Sequence, residues 1–159
     1  MSTFRLHALH SISLPVLAAR VAALAMVAVA AFQLALVFGA PWGAYTQGGQ
    51  TKGALDPSGR VFAAIFCAIL LVMAAAVLAR VREGPLKTAP RKLVTALAWF
   101  TTLYSALAVV LNVATQSSSE RAVFAPTAIV LFVLVVTTMV GSRRTASPTV
   151  LRRVAPRAA

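Results

Sequence analysis

"VFAAIFCAILLVMAAAVLA", Val61–Ala79, decides the fold. These nineteen consecutive residues carry no charge. A helix needs about 20 apolar residues to cross a hydrocarbon layer of about 30 Å. The run does not alternate with period two, which argues against a barrel strand. "LDPSGR" precedes it and places Asp56 as N-cap with Pro57 at the first helical position. Gly84 and Pro85 follow and stop it.

Three more runs of the same kind lie in the chain: Val21–Gly39, Leu93–Ala114 and Ala122–Gly141. Ser13 and Pro15 announce the first helix, and Pro41 ends it. Pro90 opens the third. Ser117 and Glu120 have capping-box spacing for the fourth. Pro126 then either kinks that helix or moves its start later. The expected architecture is all-α, a four-helix transmembrane bundle running up-down-up-down. Its spans are about 15–39, 57–81, 90–115 and 120–141, in one membrane domain over residues 1–141. Residues 142–159 are expected to form a disordered basic tail.

Composition agrees. The 159 residues are 60% hydrophobic and 11% charged, with mean hydropathy +0.86. Soluble chains carry about 25% charged residues. Net charge is +12, which in a soluble protein would suggest nucleic acid. Here the charge sorts by location. Twelve basic residues flank the spans on one side, from Arg5 and Arg20 through Arg80, Arg82, Lys87, Arg91 and Lys92 to the tail arginines. Lys52, Arg60 and Arg121 are the three on the other. The positive-inside rule then places both termini in the cytoplasm. The basic side can rest on anionic headgroups of the bilayer. No nucleic-acid partner is expected, since the tail shows no recognition element. The first run is longer than a signal-peptide core of about 7–15 residues, so an uncleaved span is expected.

Catalytic and metal chemistry is sparse. The carboxylates are Asp56, Glu83 and Glu120, and the histidines are His7 and His10. No Asp, Glu, Lys, Arg or His falls within the four apolar runs. Proton-coupled carriers place such residues there, so a transporter acting alone is disfavoured. Phosphate-loop, metalloprotease and nucleophile-elbow motifs are absent. Cys67 is the one cysteine and allows no internal disulfide. No metal and no cofactor is expected.

Polar residues follow one pattern. Thr101, Ser105, Ala108, Asn112 and Thr115 recur every three or four positions, on one face of the third span. Such a stripe serves as a packing seam with hydrogen bonds between helices, or else lines a cavity. Gln33 lies about 9 Å inside the outer end of the first span at 1.5 Å per residue. Asn112 lies near the same level. A buried amide needs a partner. Around that level the loops bring Trp42, Tyr45, Glu120 and Arg121. Interfacial aromatics and a helix cap explain these residues in the ordinary way. The sharper expectation is an extracytoplasmic pocket built from Gln33, Trp42, Tyr45, Asn112, Glu120 and Arg121.

The chain resembles a group of small bacterial four-helix membrane proteins. The resemblance rests on "GAPWG…GG" after the first helix, on Leu55, Pro57 and Arg60, and on Leu111, Asn112, Ser118, Glu120, Arg121 and Pro126. In that group the turn before the second helix often reads Leu-Pro, and here Asp56 intervenes. The resemblance implies the topology and outer loops that act as one unit, and carries no activity. The expected role is a non-enzymatic protein of the bacterial cytoplasmic membrane. It would serve as an accessory subunit or ligand binder, with a protein partner or as a homo-oligomer. The alternatives are an enzyme on lipid-like substrates, using Glu120, and a transporter subunit that requires oligomerisation.

Overall fold

The computed structural model describes residues 13–144. Among them are four α-helices, with no strand: α1 (Leu14–Val37), α2 (Pro57–Arg80), α3 (Arg91–Ala114) and α4 (Ser118–Arg144). Each is long and apolar enough to cross a membrane. This is the architecture of a multi-pass integral membrane protein. Large apolar side chains on the perimeter agree with it; Leu24, Leu103 and Val110 are each more than half exposed. In a membrane protein such side chains face lipid.

The boundaries shift from the expected ones. α1 ends at Val37 rather than residue 39, because Gly39 takes a positive φ of 92°. It starts at Leu14, one residue before the expected start. α4 begins at Ser118 and runs through Pro126 without interruption, so the proline neither ends the helix nor delays its start. It continues to Arg144, past the expected end at 141, and the remainder of the basic tail lies outside the described residues. His7 and His10 lie outside them as well.

α2 starts as its sequence dictates. Asp56 Oδ1 accepts a hydrogen bond from the Gly59 N–H at 2.8 Å, and Oδ2 accepts one from the Ser58 hydroxyl at 2.8 Å. Those bonds, the Gly59 one first, hold the Asp56 carboxyl below its ordinary range.

The helices do not pack equally. α1 and α2 share the closest seam. The buried core around it draws Ala19, Ala22, Ala23, Met26 and Ala30 from α1 and Leu70, Met73, Ala74 and Val77 from α2, with Ala98 of α3 and Leu131, Val135 and Met139 of α4. Small side chains let two backbones approach in lipid, where dispersion and not water exclusion holds helices together. α4 packs on both α1 and α3, whereas α2 and α3 form the sparsest of the four neighbouring seams.

Candidate functional site

The connection between α1 and α2 contains two 3-10 turns, Gly43–Tyr45 and Gln47–Gly49. It closes on itself through the Gly43 N–H, which donates to Gly53 O at 2.8 Å. A Cβ on Gly43 would sit 2.7 Å from the Thr51 carbonyl oxygen, so only glycine fits there. Gln47, Gly48 and Gly49 follow with φ of 52°, 79° and 68°. Glutamine rarely adopts that region. Its side chain holds it there, as Nε2 donates to the Gly59 carbonyl at 2.8 Å.

This folded loop is docked on the α3–α4 connection. The Gly48 N–H donates to Glu120 Oε2 at 2.9 Å, and the Thr115 hydroxyl donates to the same oxygen at 3.0 Å. The Ser117 hydroxyl donates to Ala44 O at 2.9 Å while accepting from the Glu120 N–H at 3.2 Å. Ser117 therefore caps α4, as its spacing with Glu120 suggests. The reciprocal arm of the capping box is absent, because Glu120 turns to the loop instead of back to the Ser117 N–H. A Cβ on Gly49 would fall 2.4 Å from Ser117 Oγ, which makes glycine a condition of the docking.

Beneath the docked loop lies a cavity of about 950 Å³. It occupies the sparse seam between α2 and α3. α2 contributes Phe62, Phe66, Leu70 and Met73, spaced by four, four and three along one face. α3 contributes Tyr104, Leu107, Leu111 and Asn112, and α4 adds Phe124 and Leu131. Polar groups concentrate at the loop end, where Tyr45, Gln47, Gln50, Gln116 and Glu120 join the wall. The space is thus apolar along the helices and polar at one end.

Four of the six pocket residues named from sequence line this cavity: Gln33, Tyr45, Asn112 and Glu120. Trp42 and Arg121 do not. Trp42 stacks on Phe32 with ring centroids 5.8 Å apart and planes 6° from parallel, and Phe32 meets Phe124 at 5.2 Å. Arg121 is exposed and donates to Thr115 O at 3.1 Å, bracing the turn before α4.

The α3 stripe divides by depth. Thr101 and Ser105 are buried in the bundle, while Ser105, Ala108, Asn112 and Thr115 reach the cavity wall. Apart from Thr115, which bonds Glu120 of α4 at the loop end, its hydrogen bonds run within α3: Thr101 to Leu97 O at 2.8 Å, Ser105 to Thr101 O at 2.6 Å, and Asn112 Nδ2 to Ala108 O at 2.7 Å. The carbonyl four residues back is always within reach of such a side chain, so a neighbouring helix is not needed.

Gln33 differs. It is 8% exposed, and its Oε1 is buried without a protein partner. Asn112 and Thr127, on the same cavity wall, spend their hydrogen bonds on Ala108 O and Val123 O of their own helices. A buried, unpaired polar atom costs about 1–3 kcal/mol.

Sequence reasoning did not single out the aromatic face of α2 or the role of Gln47. The spacing of Phe62, Phe66, Leu70 and Met73 is a signal for the first. Nothing in "TQGGQ" announces the second, which depends on Gly59 lying opposite. Among the described residues no cluster of His, Cys, Asp and Glu could hold a metal. Comparison with protein-family models, curated proteins and solved structures gives no match.

Proposed function

We propose that this chain is a non-enzymatic protein of a bacterial cytoplasmic membrane, with both termini cytoplasmic. It holds a small amphiphilic molecule in the cavity between α2 and α3, on the extracytoplasmic half. The observation that carries the reading is Gln33, a buried amide with a bare acceptor in the wall of a largely apolar cavity. A hydroxyl, amide or amine on a ligand headgroup would satisfy it, and the ligand's hydrocarbon would lie along Phe62, Phe66 and Leu111. The cavity lies in the range of about 300–1,000 Å³ usual for small-molecule sites. Glu120, the acid–base group an enzyme would need, spends Oε2 on two structural hydrogen bonds, which favours binding over turnover.

The test is native mass spectrometry of the full chain extracted in mild detergent from its native membrane. A retained small molecule is expected, and Gln33→Leu should lose it while melting at or above the wild-type temperature. An identical adduct pattern in wild type and variant would sink the reading. Orientation is tested separately. In a Cys67→Ala background, Gln50→Cys should react with an impermeant thiol reagent applied to intact cells, and Thr88→Cys should not. The reverse pattern would invert the topology.

A further inference from the structure

The end of the bundle away from the docked loop holds a second recess, of about 680 Å³, between the end of α2, the start of α3 and the start of α1. Arg80, Arg82, Lys87 and Arg91 line it, with Ser13 and Thr95. No carboxylate lines it. The acid at this end, Glu83, is held by Arg20 through two hydrogen bonds, Nε to Oε2 at 3.0 Å and Nη2 to Oε1 at 2.7 Å. The recess is thus ringed by cations with no acid on its wall to offset them.

Two local rules are broken to put those cations there. α2 ends in a Schellman turn: the Arg82 N–H bonds Ala79 O at 3.1 Å and the Glu83 N–H bonds Leu78 O at 2.9 Å. The residue at Arg82 must adopt the left-handed region, where glycine is usual. Its φ is 62°. Arginine accepts that steric cost, and its side chain reaches the recess wall. The first turn of α3 holds Arg91 and Lys92 and no acid, although the positive end of a helix dipole favours acids. The positive-inside rule asks for cations somewhere in this connection. It does not ask for one at a glycine position, nor for several around one recess.

We infer that this recess is a binding site for a phosphate group, carried by an anionic phospholipid or free in the cytoplasm. Arginine forks and a lysine match the tetrahedral oxygens of phosphate, and Arg80 is oriented by its Nη2 bond to Ser142 Oγ at 3.0 Å. The site is separate from the α2–α3 cavity, so it stands or falls without it.

The test compares the purified full chain in nanodiscs of phosphatidylcholine alone and of phosphatidylcholine with phosphatidic acid. Native mass spectrometry of the released protein reads retained lipid. A parallel thermal titration with inorganic phosphate is run in neutral detergent. Wild type should retain phosphatidic acid, and Arg82→Gly should bind it roughly tenfold more weakly, the usual worth of one charge-assisted contact. Arg82→Gly should melt no lower than wild type, because glycine suits that turn, so its loss of binding is not loss of fold. Lys87→Gln should weaken binding in the same direction. Lys92→Gln removes a charge from the same connection but off the recess wall, and should have little effect. A melting shift with inorganic phosphate assigns the site to the free ion as well; retention of phosphatidic acid without that shift assigns it to lipid. Absence of both, unchanged binding in Arg82→Gly and Lys87→Gln, or equal losses in all three variants would overturn the proposal.

Discussion

Two seams of one bundle, α1–α2 and α2–α3, use opposite means. α2 brings Ala74 and Val77 to the buried core it shares with α1, while Phe62, Phe66, Leu70 and Met73 line the cavity at the α2–α3 seam, the last two belonging to both. Small side chains let the first pair of backbones close, whereas large ones on the other face keep α2 from packing closely on α3. No hydrophobic effect drives one apolar helix onto another in lipid, so side-chain size decides which seam shuts. The residues that prop a seam open then become the wall of what it encloses.

Breaking the closed seam should have the largest effect. Ala22 of α1 is wholly buried in the core around that seam, and Ala22→Leu should destabilise the protein by about 2–3 kcal/mol, the upper part of the range for overpacking. Thermal melting in detergent checks it, and a melt like wild type would mean the seam is looser than drawn. Next comes the loop that roofs the open seam. Gly49→Val meets Ser117 Oγ and a positive φ together, and should release the loop at a cost of about 1–2 kcal/mol, the worth of the hydrogen bonds it severs. Faster labelling of Gln50→Cys in that background would report the release. The same enlargement that harms the closed seam should be tolerated in the open one. Ala108→Leu, on the cavity wall, should cost under about 1 kcal/mol because space is present, while reducing retained ligand. A large loss of stability there would erase the contrast between the seams.

The smallest effect belongs to the Arg20–Glu83 pair, an exposed bridge of the kind that contributes little. Hydrogen bonds from Arg20 hold the Glu83 carboxyl below its ordinary range. A lowered carboxylate contributes stability that is complete above its unfolded pKa and is lost as pH falls through the folded one. Glu83→Gln should therefore leave the melt at neutral pH nearly unchanged and flatten its decline at acid pH. A steeper acid decline in the variant would give the pair the opposite sign.

The sequence made the spans legible because charge and proline punctuate them. Val61–Ala79 could not be anything soluble, and Asp56 with Pro57 set the start of α2. The site was legible only in part. Gln33, Tyr45, Asn112 and Glu120 were grouped by depth, which a helix rise converts into position along the membrane normal. Depth gives no azimuth. Trp42 and Arg121 lie at the same level and point elsewhere, toward Phe32 and Thr115. Polarity on one face of α3 reads equally as an interface or a cavity wall; most of the stripe lines the cavity, and its side chains bond the nearer carbonyl of their own helix except Thr115, which reaches Glu120. Arg82 gave no sign, because the sequence does not reveal which residue after a helix takes the left-handed turn.

The bonds between Glu120 and Gly48, and between Ser117 and Ala44, join positions more than seventy residues apart. A chain inserted from its N-terminus therefore threads three helices before the loop finds its carboxylate. Until α4 enters, the Gly48 N–H lacks the carboxylate it donates to, and the open seam has no docked roof. Docking of the loop is thus a late step: truncation before Glu120 would leave the loop without the partner that fixes it over the seam.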